Sequence, residues 1–161
     1  MSSLSSTARA VADIAQGLIL ASVEIAAPPE RVFRALASPE ITAWWEAPGV
    51  FRTTEWSGEV RVGGRWRAAG KRATQEPFVL EGEFLEVDPP RKLVHTWHLV
   101  GTPIKPTTVT YLLEPLAGGT RITLRHTGFD PRLPFAGTTH GWETSFTRLA
   151  EILAGERAQS A

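Results

Sequence analysis

The chain ends in one long amphipathic helix that follows a series of strands, and this order limits the folds open to it. From residue 135 to about 154 the apolar residues recur at helical spacing, as Trp142, Phe146, Leu149 and Leu153. A helix with one apolar face buries that face against another layer, which the preceding strands can provide as a sheet. The order of elements therefore predicts an α+β fold with the C-terminal helix packed on an antiparallel sheet.

Six or seven strands are predicted before this helix. Apolar or β-branched segments separated by Gly, Pro and Asp turns occur at 18–25, 51–56, 65–73, 78–87, 92–100, 108–114 and 120–127. Two short helices are expected after the first strand. Pro28-Pro29-Glu30 suits the first turn of one, and Pro48-Gly49 ends the other over 40–46.

The length of 161 residues fits one domain. We expect a flexible N-terminal leader over 1–16, the domain over 17–156 and a disordered tail over 157–161. No run reaches the ~18 apolar residues of a membrane span, and the N-terminus lacks the basic start and apolar core of a signal peptide. A cytoplasmic location is therefore expected.

Composition excludes several kinds of chemistry. The chain has no cysteine, which rules out disulfides, thiolate zinc sites, iron–sulfur clusters and cysteine nucleophiles. Seventeen basic residues balance seventeen acidic ones, so no attraction to nucleic acid or to an anionic membrane is expected. Phosphate-binding loops, nucleophile elbows and zinc-binding helices are missing from the sequence. We predict no metal, no cofactor and no catalytic residue.

Tryptophan is unusually frequent, with six residues against one tyrosine. Large aromatic side chains either fill a core or form the apolar walls of a cavity, and composition does not decide between the two. Strand alternation places Trp66, Phe78, Leu80 and Phe84 on inward faces, together with Tyr111. The Arg and Glu residues between them then pair on the outer face.

Two histidines are predicted to lie among these inward apolar residues. His95 shares a strand face with Leu93, Trp97 and Leu99, and His126 follows Ile122 and Leu124. A buried histidine usually makes structural hydrogen bonds. The functional alternative is that the two rings orient a ligand in an apolar pocket.

Several segments then resemble a known family. They cover 28–36, 38–45, 62–66, 82–97, 118–129 and 140–142, in an order that spans residues 18 to 153. The most specific are the run from Pro89 to Trp97 and Gly141-Trp142 on the last helix. These segments resemble the START-like superfamily, also called SRPBCC or birch-pollen-allergen-like. Within it they are most similar to homologues of the activator of the heat-shock chaperone ATPase.

The resemblance implies a helix-grip fold, in which a curved antiparallel sheet wraps around the C-terminal helix and leaves a cavity between them. It implies no universal catalytic residue. Members of the superfamily carry lipids, hormones and polyketides, and some catalyse cyclisation or dehydration. The chaperone link belongs to eukaryotic members with an additional N-terminal domain, for which we see no counterpart in these 161 residues.

We therefore predict a protein that binds a small hydrophobic or aromatic ligand between the sheet and the last helix. The predicted ligand-binding residues are Trp45, Trp66, Phe78, Phe84, His95, Trp97, Tyr111, His126, Trp142 and Phe146. One alternative is an enzyme of the polyketide cyclase or dehydratase kind, with His126 and His95 as acid–base candidates. The other is a protein-interaction module, bound to a chaperone or in a homodimer through an exposed Trp44-Trp45 patch. We favour binding over both.

Overall fold

A computed structural model describes residues 7–132 and 135–160. The strands are β1 (Arg9–Asp13), β2 (Leu18–Ile25), β3 (Glu46–Ala47), β4 (Phe51–Gly58), β5 (Arg65–Arg72), β6 (Pro77–Asp88), β7 (Lys92–Leu99), β8 (Thr107–Leu116) and β9 (Gly119–Thr127). The helices are α1 (Pro29–Leu36), α2 (Ile41–Trp44) and α3 (Ala136–Ser160). The strands form one antiparallel sheet in the order β1-β2-β9-β8-β7-β6-β5-β4-β3, which curls around α3. The predicted α+β helix-grip fold is confirmed.

The buried face of α3 is the one that the sequence predicts. Trp142, Phe146, Leu149 and Leu153 are at most 2% exposed and lie in the main core cluster. They meet the inward side chains of the sheet, including Tyr111. Because the strand alternation and the helical period point to the same core, local pattern and global fold agree.

Among the described residues the sheet has nine strands rather than six or seven, and the two additional strands are its edges. β1 lies within the segment expected to be a flexible leader, and it pairs with β2 from Arg9–Ser22 to Asp13–Leu18. It is mostly exposed, so its sequence lacks the alternation that marks a half-buried strand. β3 has only two residues, and the first of them, Glu46, is the last residue of the second helix predicted over 40–46, which in the structure ends at Trp44. Residues 1–6 of the expected leader lie outside the described residues.

Helix α3 bonds to both edges of the sheet. The backbone amides of Ala8 and Ala10 donate to Thr147 Oγ1 and Glu143 Oε2, each at 3.0 Å. At the opposite edge the amide of Glu46 donates to Ser145 Oγ at 3.2 Å, and that hydroxyl donates to the Glu46 carbonyl at 3.3 Å. The helix therefore closes the curled sheet on both sides.

The C-terminal boundary also differs from the expected one. The backbone of α3 continues to Ser160, so most of the segment expected to be a disordered tail is helical, while residue 161 lies outside the described residues. Arg31 of α1 holds Glu156 with Nη2 2.7 Å from Oε2, and the same guanidinium binds Glu40. This contact fixes the last turns of α3 against α1, a long-range restraint that composition does not reveal.

Candidate ligand-binding cavity

A cavity of about 740 Å³ opens at one end of the sheet. The β7–β8 loop and the segment between β9 and α3 meet there with the first turns of α3. Its described walls come from these segments, from the connections between α2 and β4, from β4–β7 and from the start of β8: Trp45, Val50, Phe51, Arg72, Phe78, Leu80, Trp97, Leu99, Pro103, Ile104, Lys105, Thr107, Gly128, Phe129, Asp130, Pro131, Arg132, Phe135, Gly137, Thr138 and Gly141. This volume lies within the typical range of ligand pockets, roughly 300–1,000 Å³.

Aromatic rings form a connected surface in this cavity. Trp45 lies 5.2 Å from Phe51 and 6.3 Å from Trp97 between ring centroids, and Phe51 lies 6.0 Å from Phe78. On the loop side Phe129 stacks on Phe135, with centroids 4.7 Å apart. Rings packed against each other hold their orientation, so these walls are preformed rather than assembled around a ligand.

Glycine allows one of these rings to reach the wall. A Cβ atom at Gly70 of β5 would collide with the carbonyl oxygen of Arg52 and would lie 2.6 Å from the ring of Phe78. Phe78 of β6 pairs with Gly70 of β5. Its ring therefore lies over Gly70, where there is no side chain to obstruct it.

A second cavity, of about 30 Å³, lies deeper between the sheet and α3. Its walls include Trp66, Phe84, His95, Tyr111 and Trp142. This volume has room for a water molecule but not for a ligand of ordinary size. The deep interior is therefore mostly filled by side chains.

Trp45 and Trp97 line both cavities and separate them. Trp45 is 7% exposed and packs on Trp142 with centroids 4.5 Å apart. Trp97 packs edge-on against His126 at 4.7 Å. Leu80 also lines both cavities, so the floor of the large cavity includes this side chain together with two indole rings that rest on buried aromatic residues.

His126 ties four elements together beneath this floor. Its Nδ1 accepts a hydrogen bond from Trp142 Nε1 at 3.0 Å, so the ring proton belongs on Nε2, which donates to Thr107 Oγ1 at 2.6 Å. The Thr107 hydroxyl in turn donates to the carbonyl of Trp97 at 3.2 Å. Burial, and secondarily the nearby His95, keeps the pKa of His126 well below its usual value, so the ring is neutral.

His95 and Tyr111 are buried side by side, with ring centroids 5.8 Å apart. His95 Nδ1 bonds to the carbonyl of Thr96 at 2.9 Å. Burial lowers the pKa of His95 to about 4 and raises the pKa of Tyr111 far above its usual value. Within residues 7–132 and 135–160, neither His95 Nε2 nor the Tyr111 hydroxyl has a hydrogen-bond partner. Both residues line the small cavity, where a water molecule fits.

Charged side chains surround the mouth of the large cavity. Arg72, Lys105 and Arg132 come from three separate segments, and among the lining residues that the structure describes Asp130 is the one carboxylate. Arg132 forms a two-point pair with Asp130, at 3.1 Å from Nε to Oδ1 and 3.0 Å from Nη2 to Oδ2. These hydrogen bonds, with a smaller contribution from Lys105, lower the pKa of Asp130.

The ten residues predicted to bind a ligand fall into three groups in the structure. Trp45, Phe78 and Trp97 line the large cavity, while Trp66, Phe84, His95, Tyr111 and Trp142 surround the small one, which Trp45 and Trp97 also border. His126 and Phe146 line neither cavity and are fully buried. Periodicity correctly places these side chains inward but does not show where space remains.

Sequence reasoning missed the loop residues of the large cavity. Ile104 in the β7–β8 loop and Phe129 and Phe135 between β9 and α3 form much of its outer wall. Apolar residues inside Pro- and Gly-rich connections were the available signal, because a loop rarely carries such side chains without a surface to cover.

The described residues include no group of three or more His, Asp or Glu side chains arranged to hold a metal ion. Across 7–132 and 135–160, none of the helices combines the length and apolarity that crossing a membrane demands.

Solved structures of similar shape come from several bacteria. A protein of Rhodobacter sphaeroides is 24% identical, with a TM-score of 0.78 over 92% of this chain and 99% of its own. A protein of Chromobacterium violaceum, also 24% identical, has a TM-score of 0.75 over 85% of this chain and 96% of its own. One from Nitrosomonas europaea is 27% identical, with a TM-score of 0.74 over 91% and 99%. These likenesses establish the shared fold.

Sequence comparison identifies the family of this chain. No functionally curated protein shows significant similarity to the chain. The profile of the Activator of Hsp90 ATPase homolog 1-like proteins, in contrast, matches residues 26–154, from the end of β2 to the last apolar turn of α3. Since this match takes in strands β3–β9, the described walls of both cavities and most of the helix that closes them, the chain belongs to the Activator of Hsp90 ATPase homolog 1-like family.

Proposed function

We propose that the protein binds a small, mainly apolar ligand in the cavity of about 740 Å³. The observation that carries this proposal is a preformed space of ligand size, walled by packed aromatic rings and open to solvent at one end of the sheet. The family is known for ligand binding in a cavity, which supports the proposal.

Of the ten predicted residues, we propose that three contact the ligand: Trp45, Phe78 and Trp97. Phe51 and Phe129 complete the apolar surface of the cavity. The remaining predicted residues lie behind the two indole rings of the floor. Trp66, Phe84, His95, Tyr111 and Trp142 would meet a ligand only after Trp45 or Trp97 moved, and His126 and Phe146 support the wall from beneath. A flat apolar body that stacks on the floor is the shape that this surface fits best.

Two alternative functions receive less support. Both ring nitrogens of His126 are engaged by Thr107 and Trp142, so this ring has no free position for acid–base chemistry. The other acid–base candidate, His95, lines the small cavity, which is too small for a substrate of ordinary size. Trp44 and Trp45 are 2% and 7% exposed, and the Trp44 indole donates to the carbonyl of Ala35 at 2.8 Å. They therefore do not form the exposed aromatic patch on which the protein-interaction alternative was based.

Filling the cavity from α3 tests the proposal. Gly137 lines the cavity, and a Cβ atom there meets nothing within 4 Å, so Gly137→Trp places an indole in the open space without a backbone clash. Binding is measured with the neutral apolar dye N-phenyl-1-naphthylamine, whose fluorescence rises in apolar surroundings. We expect the wild-type protein to bind the dye and Gly137→Trp to weaken binding by about tenfold or more.

Gly155→Trp is the matched control. Gly155 stands near the other end of the same helix, is exposed, and also offers open space around an added Cβ. It does not line the cavity, so dye affinity should stay at the wild-type value. Equal binding by both variants would place the dye elsewhere, and no binding by the wild-type protein would reject a site for small apolar ligands.

A further inference from the structure

The mouth of the large cavity is richer in positive charge than the chain as a whole. Arg72 ends β5, Lys105 lies in the β7–β8 loop and Arg132 precedes α3, so three distant segments each bring a cation to one opening. Among the described lining residues, Asp130 is the one side chain with a negative charge. The full sequence, by comparison, balances seventeen basic residues with seventeen acidic ones.

These three cations differ in how far they are neutralised. Arg132 is held by Asp130 through two side-chain bonds, and the Arg132 backbone amide adds a third at 2.9 Å to Oδ1. Arg72 has a looser contact, with Nη1 3.6 Å from Oε2 of Glu76, and both side chains are largely exposed. Exposed pairs of this kind contribute little and exchange easily.

Lys105 is the cation without a salt bridge among the described residues, although it lies near enough to Asp130 to help lower the pKa of that carboxyl. Within the ranges that the structure describes, no carboxylate oxygen lies within 4.0 Å of its ammonium group. Its loop neighbours Pro103 and Ile104 contribute apolar surface to the same wall. A positive charge at the rim therefore stands directly beside the apolar interior.

We propose that the ligand of this cavity is an amphipathic monocarboxylate, with its apolar body in the aromatic interior and its carboxylate at the mouth beside Lys105 and Arg72. This inference rests on the proposed function and adds the charge of the ligand to it. The carboxylate stays at the rim, because its transfer from water into the apolar interior would cost far more free energy than its attraction to one exposed cation provides.

Competition between ligands of one chain length and different charge tests the inference. Decanoate, 1-decanol and decylamine displace the neutral dye N-phenyl-1-naphthylamine from the wild-type protein at low ionic strength and about pH 7.5, where the acid and the amine are ionised. We expect decanoate to bind about fivefold more tightly than decanol, because two opposite charges about 4 Å apart in water attract by about 1 kcal/mol. Decylamine, whose charge is positive, should bind more weakly than decanol. Raising NaCl to about 0.5 M should remove the difference.

Neutralising single cations locates the effect. Lys105→Gln should bring the decanoate affinity to within about twofold of that of decanol, and Arg72→Gln should reduce the difference partly. The controls are Lys71→Gln and Arg67→Gln, exposed cations of β5 that do not line the cavity, and they should keep the full preference.

The outcomes separate the two proposals. If decanoate and decanol displace the dye equally from the wild-type protein, or if the preference survives in both Lys105→Gln and Arg72→Gln, the inferred carboxylate site is overturned while binding in the cavity stands. If the dye does not bind the wild-type protein, the proposed function fails, and the inference falls with it.

Discussion

Stability of this protein should fall as the pH drops below about 6.5, because two neutral histidines are buried in its core. Burial lowers the pKa of His95 to about 4 in the folded protein, from an ordinary value of 6.5 that applies when the chain unfolds. Between these two values the unfolded chain binds a proton that the folded protein does not, so the free energy of unfolding rises with pH. The contribution is fully present above 6.5 and is lost as the pH approaches 4.

The difference between the two pKa values sets the size of the effect. It corresponds to about 3 kcal/mol for His95, lost at no more than about 1.4 kcal/mol per pH unit. The pKa of His126 is lowered in the same direction by the same cause, so its effect has the same sign. A loss of this size is a large part of the ~5–15 kcal/mol that stabilises a typical domain.

Urea unfolding followed by circular dichroism at several pH values between about 5 and 8 measures this slope. His95→Phe removes one titrating ring and keeps an aromatic side chain among Trp66, Phe84 and Tyr111, so below pH 6.5 its slope should be shallower by up to about 1.4 kcal/mol per pH unit. His140→Gln, which replaces an exposed histidine on α3, is the matched substitution outside the core. A stability that is flat across this range, or a slope that His95→Phe does not change, would refute the argument.

Three further predictions concern packing, and urea unfolding tests each. Phe146→Ala should lower stability by about 3–5 kcal/mol, because the ring is fully buried; a loss below about 1 kcal/mol would contradict the packed core. Trp142→Phe should cost about 1–3 kcal/mol by leaving Nδ1 of buried His126 without its donor, and an unchanged stability would dismiss that bond. Gly70→Ala should cost about 1–3 kcal/mol through its clashes, whereas Gly137→Ala, in open space, should be neutral or stabilising; equal effects would refute the clash.

The sequence predicts the inner layer of the fold well and its edges poorly. The apolar period of α3 and the alternation of β6 and β9 are strong because each element is half-buried, and both were confirmed. β1 escapes prediction because most of its side chains face solvent and its pairing with β2 depends on a distant partner surface. Apolar periodicity in a sequence arises from burial, and an exposed edge strand buries few side chains, so its sequence shows little periodicity.

The cavity was harder to predict than the core for a related reason. Periodicity marks Tyr111 and Phe84 as inward, and they are, but whether inward side chains meet or leave a gap depends on volumes summed over several elements. The large cavity is bounded by the loop that carries Ile104 and by the segment that carries Phe129, at one end of the sheet. No periodic signal describes the path of a loop.

The bonds from α3 to both edges of the sheet have a consequence for how copies of this protein behave in a crowded solution. An open sheet normally ends in unsatisfied amides and carbonyls that invite strands of other molecules, which is a common route to aggregation. Here Thr147 and Glu143 occupy amides at one margin, and Ser145 occupies both backbone groups of Glu46 at the other. A single helix thus satisfies some backbone groups at each margin, which leaves fewer of them for a strand of another molecule to pair with.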